Sequence, residues 1–76
     1  MIDKFDVDLG NWLESQRKSR KLSQTEIARR MGVTKVAVHC WEKGKRKMYA
    51  DTLLMYCRVA GIDLNDFLEE RKNARL

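Results

Sequence analysis

Between Gln24 and Lys43 two stretches of helical periodicity are separated by only Gly32-Val33-Thr34. A joint this short, opening on glycine, cannot let two helices run side by side. It forces them to cross steeply, as in a helix-turn-helix. Both sides of the joint carry their own signals. Ser23-Gln24-Thr25-Glu26 has the form of a capping box, in which the Ser23 hydroxyl accepts from the Glu26 amide and the Glu26 carboxylate accepts from the Ser23 amide. One helix therefore starts at Gln24 and ends at Gly32, where glycine suits the left-handed conformation of a helix terminus. Thr34 caps the next helix, which runs from Lys35 to about Lys43 and stops before Gly44. Small Ala28 lets the two approach, with Ile27 and Met31 facing inward from one and Val38 and Trp41 from the other.

The remaining chain reads the same way. It has no proline and four glycines, which favours helices joined by tight turns. Leu9, Trp12, Leu13, Gln16, Arg17 and Arg20 mark a first helix from Leu9 to Arg20. Ahead of it Ile2, Phe5 and Val7 alternate with polar residues, so residues 1–7 read as an arm with Asp6 or Asp8 as the cap. A fourth helix covers about Ala50 to Ala60, with Leu53, Tyr56, Cys57 and Ala60 inward and Gly61 at its end. Asp63 caps a last helix carrying Leu64, Phe67 and Leu68, which frays through Glu69-Glu70-Arg71-Lys72. The expectation is an all-α, compact five-helix domain over residues 8–70, between the arm and a frayed tail at 71–76.

Size and charge narrow the function. Seventy-six residues hold one hydrophobic core and leave no room for a deep catalytic pocket. No apolar run approaches the ~20 residues that cross a bilayer. Cys40 and Cys57 are too few for a disulfide scaffold or a structural zinc site, and point to a reducing, cytoplasmic setting. The net charge of +5 is unevenly distributed. From Arg17 to Lys47 the only acids are Glu26 and Glu42, and the segment carries +9 while the flanks carry −4. A chain needing charge for solubility alone mixes its signs. Segregation of this kind favours a polyanionic partner, either nucleic acid or an anionic membrane surface.

The run Leu22-Ser23-Gln24-Thr25-Glu26-Ile27-Ala28, then Met31-Gly32-Val33-Thr34, then Trp41-Glu42-Lys43-Gly44 closely resembles the Cro/repressor-type (XRE) helix-turn-helix family. Thr52-Leu53-Leu54 and Ala60-Gly61-Ile62-Asp63-Leu64 keep the same register, so the resemblance spans about Leu9 to Leu68. It implies a five-helix bundle that binds double-stranded operator DNA through its third helix, usually as a homodimer on a palindrome, to repress or activate transcription. It also implies a partly buried salt bridge between Arg17 and Glu42. Arg17 lies on the inward stripe of the first helix, where an unpaired charge is costly, and Glu42 is the only acid of the third. Met48-Tyr49 stands where the family has proline and then serine or threonine, which weakens the start of the fourth helix. Ala60 replaces a large aliphatic, leaving Tyr56, Met55 or the arm to fill the core.

With Val38 and Trp41 inward, Lys35, Val36, His39, Cys40 and Lys43 form one outward stripe. Lys35 can donate to guanine O6 and N7, and Val36 can pack on a thymine methyl. His39 and Cys40 lie further along, and the resemblance implies Lys35, Val36 and Cys40 as base readers. Gln24, Thr34, Lys43, Lys45, Arg46 and Lys47 are placed to grip phosphates, with Arg20 and Lys21 at the flank. His39 and Cys40 are adjacent on a helix, so they diverge, and no third ligand accompanies them. No metal, cofactor, small-molecule substrate or catalytic constellation is implied. Met55, Leu64, Phe67 and Leu68 are candidates for a dimer surface or for the core. Two other roles fit the same residues: a DNA-binding antitoxin, and a module whose basic face meets an acidic protein.

Overall fold

The computed structural model describes residues 2–74. Five helices follow in order: α1 Lys4–Ser19, α2 Gln24–Met31, α3 Lys35–Glu42, α4 Ala50–Ala60 and α5 Leu64–Ala74. Leu9 and Leu13 of α1, Ile27 and Ala28 of α2, Val38 of α3, Tyr56, Cys57 and Ala60 of α4, Ile62, and Phe67 of α5 form the core. Trp12, Leu22, Met31, Trp41, Leu53 and Leu64 pack partly buried against it. Tyr56, fully buried, supplies the volume that Ala60 lacks, while Met55 stays exposed.

The first helix begins at Lys4, not at Leu9, so most of the expected arm is helical. The reason is a capping box made of two aspartates. Asp3 accepts from the Asp6 amide and Asp6 accepts from the Asp3 amide, each at 3.1 Å. The added turn is held by tertiary contact: the Phe5 ring meets Phe67 edge to face at 5.8 Å. Met1 lies outside the described residues.

The last helix does not fray at Glu69 but continues to Ala74. The Arg71 guanidinium sits over both Phe5 and Phe67, 5.1 and 5.4 Å from the ring centroids. It also donates to Asp8 at 3.1 Å, and the Trp12 indole donates to Glu70 at 2.8 Å. Two of the charged residues that suggested a solvated end, Glu70 and Arg71, are thus tethered to α1. Of the expected tail, residues 75 and 76 lie outside the described residues.

The joint between α2 and α3 turns at Gly32, whose φ of 71° is left-handed. A Cβ there would meet nothing within 4 Å, so glycine serves the backbone conformation and not space. The Val33 amide closes the turn on the Ala28 carbonyl at 3.0 Å. Ser23 caps α2 by accepting from the Glu26 amide at 3.0 Å, but the reciprocal half of that box is absent. Glu26 instead binds Arg29 and Arg30, whose charge and hydrogen bonds outweigh burial and hold its carboxyl down to about 2. Two cations within one helical turn outcompete a single backbone amide. Tyr49 begins α4 with no side-chain cap, as Met48-Tyr49 led one to expect.

Gly10 does need its space. A Cβ on it would lie 2.4 and 2.6 Å from the carbonyl oxygens of Trp41 and Glu42. Helix α1 therefore crosses the C-terminal end of α3 with its backbone in direct contact, and this crossing sets the depth of α3.

Candidate nucleic-acid interface

Helix α3 is short, and its orientation depends on what holds its inner face. Ala37, Val38 and Glu42 are buried there. Glu42 is fully inaccessible, and four hydrogen bonds converge on its carboxylate. Arg17 donates from Nε to Oε2 at 2.8 Å and from Nη2 to Oε1 at 3.0 Å. Tyr56 donates its hydroxyl to Oε2 at 2.5 Å, and Gln24 donates its amide to Oε1 at 3.0 Å. Arg17 spends Nη1 on the Leu22 carbonyl at 2.7 Å. One carboxylate thus ties α1, α2 and α4 to the end of α3. Among the described residues no buried side-chain polar atom lacks a partner.

These contacts define the charges. Burial alone would raise the Glu42 carboxyl, but the bonds from Arg17, Gln24 and Tyr56 and the charge of Arg17 bring it below its ordinary value. Arg17 is raised in turn, chiefly by its bond to Glu42. Burial, then the bond to Glu42, pushes the Tyr56 phenol far above its ordinary range, so it stays a donor.

With its inner side fixed, α3 presents Lys35, Val36, His39 and Cys40 outward. Lys35 is exposed, Val36 is 65% exposed despite being apolar, and His39 and Cys40 are half-buried. Thr34 caps the helix, its hydroxyl accepting from the Ala37 amide at 3.1 Å. The residues marked for phosphate divide into two sets. Thr34, Lys45 and Arg46 are exposed, and among the described residues neither cation is in a salt bridge. Lys43 is held by Glu14 at 3.1 Å and Lys47 by Asp6 at 3.3 Å. Gln24 turns its side-chain amide inward to Glu42, so what it offers outward is the backbone N–H at the start of α2.

The sequence reading identified Arg17 and Glu42 but not the other members of the cluster. Tyr56 carried a signal, since a tyrosine on an inward stripe needs a partner for its hydroxyl. Asp6 and Glu14 carried none. They lie far in sequence from Lys47 and Lys43 and become their partners only through the α1–α3 crossing.

Met55, Leu54 and Leu68 are exposed apolar residues, whereas Phe67 is core and Leu64 packs on it. Among the described residues no helix is long and apolar enough to cross a membrane.

A helix-turn-helix family profile matches residues 13–67. The fold is similar to that of the clp gene regulator ClgR from Corynebacterium glutamicum, at 22% identity. One crystal structure of it gives a TM-score of 0.85 over 97% of this chain and 96% of that one. A second gives 0.84 over 97% and 79%. No curated protein sequence matches the chain. The profile covers the joint, α3 and the Arg17–Glu42 pair together, and the chain accordingly belongs to the Cro/repressor-type (XRE) helix-turn-helix family of DNA-binding, non-enzymatic transcriptional regulators.

Proposed function

We propose that this protein is a sequence-specific repressor that reads operator DNA in the major groove with α3. The observation that carries this reading is the division of α3 into two faces. The one buried polar residue of the inner face, Glu42, is satisfied internally, and the outer face offers a largely exposed valine and a lysine that is in no salt bridge among the described residues. A basic, partly apolar helix face suits base edges better than it suits water. Lys35 meets guanine acceptors, Val36 meets a thymine methyl, and His39 and Cys40 lie over the adjoining bases.

Phosphates on either side are bound by Thr34, Lys45 and Arg46, and by the backbone N–H of Gln24. Lys43 and Lys47 join them by exchanging Glu14 and Asp6 for phosphate. Such contacts, roughly five to eight per subunit, make affinity fall steeply with salt. One reading helix spans about half a turn of duplex, so a homodimer on a palindromic operator supplies the specificity. Leu54, Met55 and Leu68 are the exposed apolar residues available for that contact. A domain that occupies a site without further chemistry acts most simply by excluding other proteins from it, hence repression. The cytoplasm is the setting that this reading assigns to it.

Selection of bound sequences from random duplexes at about 50 mM salt tests this reading. A palindromic motif with half-sites one helical turn apart is the expected result. Failure to bind any DNA above background would replace the reading with a protein-interaction role for the same face, since the +9 segment supplies non-specific affinity by itself.

A further inference from the structure

The hydrogen-bond chain around Glu42 does not end in the core. Both of its oxygens are occupied by donors: Oε2 by Arg17 Nε and Tyr56, Oε1 by Arg17 Nη2 and Gln24. A carboxylate only accepts, so the Gln24 atom 3.0 Å from Oε1 is the amide nitrogen, and the alternative flip of that amide is excluded. The same nitrogen lies 3.5 Å from Nδ1 of His39. A proton on Nδ1 would set N–H against N–H, whereas a lone pair there accepts the second amide hydrogen. The proton of the neutral ring then sits on Nε2, which has no partner among the described residues.

We infer that His39 is a specificity-determining residue that reads the groove only as a donor, through Nε2–H, and that Gln24 is the positioning residue that fixes this tautomer. The inference rests on α3 being the groove helix. Its consequence is a base preference. A donor suits guanine O6 and N7 or thymine O4, and is mismatched against the N4 amino group of cytosine. Lys35 is likewise donor-only, and Val36 offers only methyl groups. No strong acceptor stands on the reading face, so cytosine is disfavoured where His39 touches down.

His39 is the single histidine of the chain, so its ring nitrogens are assigned without ambiguity in a long-range proton–nitrogen correlation of the 76-residue chain free of DNA. With the ring neutral, the Nε2–H tautomer is expected, shifting toward the mixture of a solvated imidazole in Gln24→Met. Circular dichroism establishes that the variant is folded. In site selection, cytosine is expected to be depleted about five- to tenfold at one position of each half-site. That depletion disappears in His39→Ala and Gln24→Met, while preferences elsewhere in the half-site persist. An Nδ1–H tautomer, a tautomer balance indifferent to Gln24, or a half-site preferring cytosine there would each overturn the inference. A fixed tautomer with no DNA binding at all would overturn the groove reading and this inference with it, and the two failures are told apart because the first measurement contains no DNA.

Discussion

Glu42 is the side chain on which most depends. Four donor contacts converge on it, so removing it takes the carboxylate partner from buried Arg17 and Tyr56 and from half-buried Gln24 at once. Breaking a buried ion pair from one side costs about 3–5 kcal/mol, because a buried charge is left uncompensated. Glu42→Leu is expected to lose that much in chemical denaturation. Arg17→Met alone loses a comparable amount. The double variant loses less than the two single losses added together, because neither charge is then left alone. Tyr56→Phe removes one bond to a charged acceptor and loses about 1.5–3 kcal/mol. Strict additivity of the Arg17 and Glu42 losses would show that the pair is not coupled.

The same carboxylate gives the protein an acid limit. Its folded value lies below the ordinary one, so its contribution to stability is complete above the unfolded carboxyl range and is lost as pH falls through the folded value. Asp8, Glu14 and Glu26 are lowered as well, and contribute in the same window. Unfolding free energy is expected to fall below about pH 4–5. Glu42→Gln flattens that limb relative to the native chain, and an unchanged limb would remove Glu42 from the account.

Among the helices, the decisive contact is the crossing of α1 over the end of α3. Gly10→Ala would ordinarily favour a helix interior by about 1 kcal/mol. Here the new methyl would lie 2.4 Å from the Trp41 carbonyl oxygen, against backbone that cannot rotate away. The expected result is a net loss of about 1–3 kcal/mol, with weaker binding to the selected site because α3 must shift. Gly32→Ala meets no atom and loses only the conformational cost of its positive φ, about 1–2 kcal/mol. A Gly10→Ala protein as stable as the native chain would mean that the crossing is not tight.

Legibility in the sequence follows the range of the interactions. The joint was legible because Gly32 and Thr34 act within a turn of their own position. The lengths of α1 and α5 were not, because the capping box used two aspartates and the ends are held by Phe5, Phe67 and Arg71 across the molecule. Glu26 carried the pattern of a box and answered to Arg29 and Arg30 instead. Arg17 and Glu42 were paired on the family resemblance, supported by the cost of a lone charge on an inward stripe. Gln24 was expected at a phosphate from its place at a helix start, and the turn of its side-chain amide to Glu42 was not legible because Glu42 lies on another helix.

For the molecule as a whole, the +5 total conceals a division of labour. Acids on α1 hold Lys43 and Lys47 in the free protein, while Lys45 and Arg46 remain available to a first encounter with DNA. On the proposed reading, non-specific attraction belongs to the connector after α3, and sequence discrimination belongs to the outer face of α3. The two are separable by measurement. Binding of Lys35→Ala/Val36→Ala to a selected duplex and to a random duplex, followed by fluorescence anisotropy at one salt concentration, compares them directly. The account predicts that affinity for the selected site falls tenfold or more, toward that of random DNA, while binding to random DNA changes only slightly. Equal losses on both duplexes, or no loss on the selected one, would contradict the claim that α3 reads the bases.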